Sequence, residues 1–348
     1  MGDSRAGSDR SVDVNRQWIL KDRPKGQLAD SDFELRRSAM PQPGPGEVLT
    51  RTLYVSIDAA NRAWMSPVRT YTDPVEPGGV MRGMTLAEVV ESRDPALRAG
   101  DIVEGAAGWQ DFAAAPARAL HRVEKRKPLS MILSGLGVTS LTAYFGLLDV
   151  GRPRPGETVL VSAAAGAVGS VAGQIARVAG CRVVGLAGSE DKCRWLTGDL
   201  GFDAALNYKT ADLGRELRQA APGGVDVYFD NVGGAVLEAA LFSMRDGGRV
   251  VCCGAVSQYD TGSPGPGPRG VPGLLVVKRL RMEGFIVMDY YARRRVAEDA
   301  LARWIADGRL KIREDILDGL EHAPRALIGL LGGDNIGKRL VRVAPEPA

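Results

Sequence analysis

Residues Thr158–Gly180 read TVLVSAAAGAVGSVAGQIARVAG, and this stretch decides the fold. Thr158–Val161 is a short apolar run rich in β-branched residues, which predicts a strand. A turn of small residues follows and opens a helix, because Val168, Val171, Ala172, Ile175 and Val178 recur at helical spacing. Gly166 and Gly169 hold the second and third glycine positions of a GxGxxG fingerprint, and Ala164 stands at the first. Such a bend lets backbone N–H groups approach a pyrophosphate, and the helix N-terminus favours the anion. A ligand-free strand-to-helix turn would use the same glycines. The alternating strands and helices around it favour a nicotinamide dinucleotide.

Outward from this bend the pattern continues. Val138–Leu148 reads as a helix, Arg182–Leu186 as a strand, Lys192–Leu200 as a helix and Ala204–Tyr208 as a strand. Val225–Asp230, Arg249–Cys253 and Met282–Val287 extend the series of strands. Alternation of this kind predicts an α/β fold with a doubly wound parallel sheet. Residues Gln17–Arg122 differ: short strands such as Glu47–Ile57, Leu86–Glu91 and Asp101–Gly105 sit among Pro/Gly turns, predicting a compact β-barrel-like unit. Ile312–Val343 has strand-like ends and is expected to return to that unit. Gly262–Gly273, dense in glycine and proline, is expected to be a loop.

The 348 residues suffice for about two domains. A net charge of +3, spread along the chain, gives no reason to invoke nucleic acid or a membrane surface. No uncharged apolar run is expected to approach the ~20 residues of a membrane span. Residues 1–14 are polar, lack the apolar centre of a secretory signal and read as a disordered tail. Cys181, Cys193, Cys252 and Cys253 are expected to be reduced thiols of a cytoplasmic protein.

The second strand of the series chooses between the two dinucleotides. An NAD site ends that strand with a carboxylate for the ribose hydroxyls. Here Ala187, Gly188 and Ser189 occupy the stretch, and Glu190 and Asp191 come just after. Without the carboxylate a 2′-phosphate meets no repulsion, and Lys192 and the Ser189 hydroxyl supply a charge and a donor. This favours NADPH over NADH. Three further segments fall at strand C-termini, where ligands collect in open α/β sheets: Asp230–Gly234, Cys253–Tyr259 and Phe285–Val287.

A zinc site is not expected. Structural zinc takes four Cys or His ligands and catalytic zinc about three Cys, His or carboxylate ligands. The chain has no CxxC pair, and its two histidines, His121 and His322, have no cysteine nearby.

The segments AAAGAVGSVAGQIA, GSEDK, LNYK, YFDNVGG, CGAVSQY, RLRMEGFIV and GDNIGK, in this order, resemble the zinc-independent medium-chain dehydrogenase/reductases, and within them the leukotriene-B hydroxydehydrogenase/prostaglandin reductase and alkenal reductase branch. The resemblance covers nearly the whole chain after residue 14. It implies a GroES-like domain built from residues 15–129 and 306–348, with a Rossmann domain of residues 130–305 inserted between them. It also implies a homodimer and NADPH-dependent reduction of the C=C bond of an enone or enal. Cofactor contacts carried over are Gly166, Ala167, Val168, Gly169, Ser170, Lys192, Tyr208, Asn231, Cys253, Gly254, Ala255, Val256, Tyr259, Phe285, Ile286, Val287 and Asn335. Tyr259 is the expected donor to the enolate oxygen. The chain departs from the branch where DPYMR becomes Asp58-Ala59-Ala60-Asn61-Arg62, so the tyrosine of that motif is absent. Asn61 is there either a substitute donor or a turn residue. The segment Asp260–Gly273 is expected to be a mobile lid. Competing readings are a quinone reductase and a non-catalytic NADPH-binding sensor. A carbonyl reductase would need zinc or a YxxxK pair.

Overall fold

The computed structural model describes residues 14–210, 212–261 and 267–347. Residues 1–13 of the expected tail lie outside the described residues, and Val14 already opens the first strand.

The N-terminal unit contains β1 (Val14–Leu20), β2 (Phe33–Ala39), β3 (Glu47–Ser56), β4 (Thr85–Ser92), β5 (Ile102–Gly105), β6 (Phe112–Pro116) and β7 (His121–Arg122). The second unit supplies β8 (Thr158–Val161), β9 (Arg182–Ala187), β10 (Ala204–Asn207), β11 (Val225–Asp230), β12 (Met244–Cys252) and β13 (Arg281–Gly284). The tail adds β14 (Glu314–Asp318) and β15 (Lys338–Arg342). The tail strands extend the first unit: one sheet runs β14-β15-β3-β4-β5-β7, and β6 also pairs with β3. Leu20, Phe33, Val55, Ile57, Met65, Trp109, Leu327 and Val341 share one core, so residues from both ends of the chain close it.

β1 and β2 form a separate antiparallel pair, and the sheet of the second unit runs β10-β9-β8-β11-β12-β13 with every pair parallel. Its strands alternate between two buried faces. Val159, Val161, Val183, Val227, Phe229 and Val251 enter one core, while Leu160, Val184, Leu186, Tyr228 and Val250 enter the other. Chain order reverses between β8 and β11, and ligands of doubly wound sheets sit at that switch point, beyond the strand C-termini.

Several sequence expectations need correction. Ser130–Gly151 is long and apolar enough to cross a membrane, contrary to expectation, but about two thirds of it is buried within the protein. Glycines interrupt it, giving helices Ser130–Ser134 and Val138–Phe145 and then a π-helical turn at Gly146–Gly151, in place of one helix to Leu148. Strand β13 ends at Gly284, so Phe285–Val287 follow it. Of the expected loop Gly262–Gly273, residues 262–266 lie outside the described residues. Val271, Pro272 and Gly273 open a helix, Val271–Lys278. Proline is well suited to the first turn of a helix, where its missing N–H has no partner to lose.

Candidate active site

A cleft of about 630 Å³ opens at the switch point, between the two units. Its floor is the bend after β8. Ala163 adopts the left-handed conformation and directs the chain into helix Ala167–Val178. The Ser170 N–H makes the first bond of that helix, to the Gly166 carbonyl (3.0 Å), so the amides of Ala167, Val168 and Gly169 precede the helical ladder. No side chain caps this end. Gly169 is required by packing: a Cβ there would lie 2.8 Å from Ala164 Cα and closer still to the Ala163 carbonyl oxygen. Alanine replaces the first fingerprint glycine without a clash because Gly185, facing Ala164 from β9, has no side chain. The tail braces the bend: Gly337 N–H donates to the Ala165 carbonyl (2.8 Å).

The opposite lip is organised by Asp230, buried at the end of β11 with only 2 % of its surface exposed. Its Oδ1 accepts from the Tyr228 hydroxyl (2.6 Å), Gly233 N–H (2.9 Å), Val232 N–H (3.0 Å) and the Ser162 hydroxyl (3.2 Å). Burial beside this carboxylate pushes the Tyr228 phenol well up, keeping it a donor. Asn231 Nδ2 donates to the Ser162 carbonyl (2.7 Å), joining the two central strands at their ends. The Asp230 carbonyl accepts from Cys253 N–H (2.8 Å) and Gly254 N–H (3.1 Å), which fixes the start of segment 253–259. Burial pushes the Cys253 thiol up to about 12 and the Cys252 thiol up to about 11, so neither is a ready thiolate nucleophile.

One end of the cleft is cationic. Lys192, Lys209 and Arg339 all line it. Lys192 Nζ donates to the Gly333 carbonyl (2.6 Å), a neutral partner. Burial, then the nearby Lys209 charge, lowers its pKa. Arg339 is held by Asp315. Two lysines facing one space, with no carboxylate bonded to Lys192 among the described residues, form a place that an anion would stabilise. The residues therefore fit a 2′-phosphate. Ser189 caps helix Glu190–Gly198, its oxygen accepting from Lys192 N–H at 3.4 Å, so its own proton is available. Lys209 was missed in the sequence reading; its signal was the lysine of LNYK.

Of the residues named from sequence, the cleft brings together Gly166, Ala167, Val168, Gly169, Lys192, Tyr208, Asn231, Val256 and Asn335. The others do not line it. Ser170 is buried in the first turn of the helix. Gly254 and Ala255 begin the turn leading to Tyr259. Phe285 packs edge-on against Tyr290, Ile286 is half-buried, and Val287 joins the core. Tyr259 stands at the end of its turn; its hydroxyl oxygen accepts from Ala255 N–H (3.2 Å), leaving its proton free to donate. Burial raises its pKa, so the phenol stays protonated. The two ends of the Asn61 amide are both occupied by the turn around it, Oδ1 accepting from Asp58 N–H (2.7 Å) and Nδ2 donating to the Arg82 carbonyl (2.8 Å). It is a turn residue. Among the described residues no group of three His, Cys, Asp or Glu side chains is placed to hold a metal ion.

Residues 16–123 match the family model of the N-terminal domain of oxidoreductase, and residues 167–306 match that of zinc-binding dehydrogenase. The chain is 42% identical over 337 residues to NADPH-dependent curcumin reductase of Escherichia coli, covering 95% of this chain and 98% of the relative. It is 41% identical over 342 residues to the NADP(+)-dependent 2-alkenal reductase of Nicotiana tabacum, covering 95% and 98%. The crystal structure of CurA from Vibrio vulnificus in complex with NADPH superposes with a TM-score of 0.91 at 39% identity, covering 95% of this chain and all of that one. The chain belongs to the medium-chain dehydrogenase/reductases, in their zinc-independent prostaglandin reductase and alkenal reductase branch. A family model named for zinc spans its Rossmann domain, but this medium-chain reductase has no CxxC pair and two isolated histidines from which to build either zinc site. The GroES-like and Rossmann units expected from sequence are those of the family.

Proposed function

We propose that this medium-chain reductase saturates the C=C bond of an α,β-unsaturated ketone or aldehyde, using NADPH and no zinc. The observation that carries the cofactor choice is the Lys192–Lys209 pair at the cleft end, with no acid closing the second strand. The relatives named above, curcumin reductase and 2-alkenal reductase, support the substrate class.

When bound, NADPH supplies the hydride that adds to the β-carbon and leaves enolate charge on the carbonyl oxygen; a proton from water then adds at the α-carbon and completes the saturation. This chain's residues hold and polarise. The amides of Ala167, Val168 and Gly169 and the helix N-terminus receive pyrophosphate oxygens. Lys192, Lys209 and the Ser189 hydroxyl take the 2′-phosphate, and Tyr208 and Asn335 flank them. Asn231 and Val256 line the route to the reacting end, and the rest of the segment Cys253–Tyr259 and Phe285–Val287 stand around it. Tyr259 donates its phenolic proton as a hydrogen bond to the oxygen that gains charge. This reading divides the chain into a cofactor domain, residues 130–305, and a substrate-side domain, residues 15–129 and 306–348. It places the enzyme in the cytoplasm, in keeping with four free cysteines.

The same reading includes a homodimer. Strand β13 is, with β10, one of the two edges of the Rossmann sheet among the described residues, and Val276, Val277 and Phe242 are exposed on the elements beside it. An unpaired edge next to an apolar patch is suited to pairing with a second copy. Turnover of a panel of enones, enals and quinones, followed by loss of NADPH absorbance, tests the assignment. Oxidation with enones is expected; NADPH binding without turnover of any of them would make the protein a sensor.

A further inference from the structure

We propose that Arg62 and Asp260 are positioning residues that hold Tyr259 from the opposite domain; this rests on the reading of Tyr259 as the enolate donor. The turn carrying Tyr259 belongs to the Rossmann unit. Its start is tied to the sheet, through Cys253 and Gly254 N–H to the Asp230 carbonyl, Val256 N–H to the Asn231 carbonyl (3.2 Å) and the Ser257 hydroxyl to the Val232 carbonyl (2.6 Å). Its far end is held from across the cleft. Asp260, the next residue after Tyr259, accepts at Oδ1 from Arg62 Nε (2.9 Å) and from Leu28 N–H (2.9 Å). Both donors belong to the GroES-like unit.

Arg62 is itself fixed. Only 5% of its side chain is exposed, and its second nitrogen donates to the Gly26 carbonyl (3.0 Å). Among the described residues Asp260 is its carboxylate partner. A buried guanidinium without a counter-charge is costly, so the pair resists separation. Arg62 rides on the helical turn Ala60–Ala63, and Asp58 and Ala59, just before that turn, line the cofactor cleft. The strap thus connects the wall of the cleft to the residue adjacent to the donor. The phenol lies between two anchors, one per domain, and its placement depends on how the domains sit. Loss of the outer anchor would let the phenol drift from the enolate oxygen without touching the cofactor contacts.

The test combines Asp260→Ala, Asp260→Asn and Tyr259→Phe, singly and together, with hydrogen exchange read on the holoenzyme. Asp260→Ala is expected to lower kcat about 10-fold with NADPH affinity unchanged, the scale on which a small misplacement of a reacting group acts. Asp260→Asn keeps an accepting oxygen but not the counter-charge and should restore part of the lost kcat. In the Tyr259→Phe background Asp260→Ala should cost nothing further, because the residue it positions has lost its donor. The Leu28 amide and the peptide spanning 255–259 should exchange faster in Asp260→Ala. Equal losses in both backgrounds, an unchanged kcat or unchanged exchange would each overturn the proposal. Tyr259→Phe alone with full kcat would overturn the donor reading instead, and with it the positioning role, while faster exchange would still report the strap.

Discussion

Lys192, on helix Glu190–Gly198 of the Rossmann unit, reaches across the cleft and donates from Nζ to the carbonyl of Gly333, 2.6 Å away in the returning tail. One lysine therefore lines the cationic end of the cleft and forms a junction between the domains. Its lowered pKa comes from burial first and from Lys209 second.

Lys192→Ala should weaken NADPH by about 10-fold or more, the scale of one lost charge-assisted bond, while leaving NADH nearly unchanged. Lys209→Ala should act in the same direction. Fluorescence titration with both cofactors measures this, and equal losses for the two would remove the 2′-phosphate assignment.

The sign of the pH effect follows from the same shift. In the proposed site the 2′-phosphate meets the Lys192 cation, whose pKa lies below the usual lysine value in the free protein. NADPH affinity should therefore be full near neutrality and fall as pH rises through that lowered value, with a smaller change for NADH. The phosphate in turn should raise the pKa of the lysine. A pH series of Kd values checks it; identical slopes for the two cofactors would contradict it.

Gly169→Ala drives a methyl group into the Ala163–Ala164 backbone. Backbone cannot swing aside like a side chain, so a loss of about 1–3 kcal/mol is expected, together with weaker NADPH binding. Thermal melts with and without cofactor measure both; an unchanged Tm would mean that the bend is looser than the structure shows.

Tyr259→Phe should cut kcat with enones by up to about 10²-fold, the scale of a lost oxyanion donor, and leave NADPH affinity alone. Because burial raises the Tyr259 pKa, the wild-type rate should show no loss of this donor below the ordinary tyrosine value of 10.0. Unchanged turnover in the variant would leave the donor role with another group.

The Rossmann unit was legible in sequence because its signals are local. Thr158–Val161 and the spacing of Val168, Val171 and Ile175 state strand, bend and helix within one segment. What the sequence hid was long-range or compensated. Ala164 in the first glycine position is tolerated because Gly185, on another strand, leaves room. Pro272 and Gly273 read as loop residues but sit in the first turn of a helix, where proline fits. The apolar run from Ser130 to Gly151 is buried by packing that composition cannot reveal. Within the site, sequence marks the bend after β8 and Lys192 as candidates, and both line the cleft; Lys209 and the Arg62–Asp260 strap depend on tertiary placement. Phe285–Val287 follow a strand, which is what sequence shows of them; that Val287 joins the core and Phe285 packs half-buried against it depends on tertiary placement.

The central claim is that hydride passes from NADPH to the β-carbon of an activated double bond without metal. The most direct measurement is turnover of an α,β-unsaturated ketone by chelator-treated enzyme with NADPH deuterated at the transferring position. Deuterium on the β-carbon of a saturated ketone is the predicted result; deuterium on the carbonyl carbon of an alcohol, or activity that vanishes with the chelator, would contradict it.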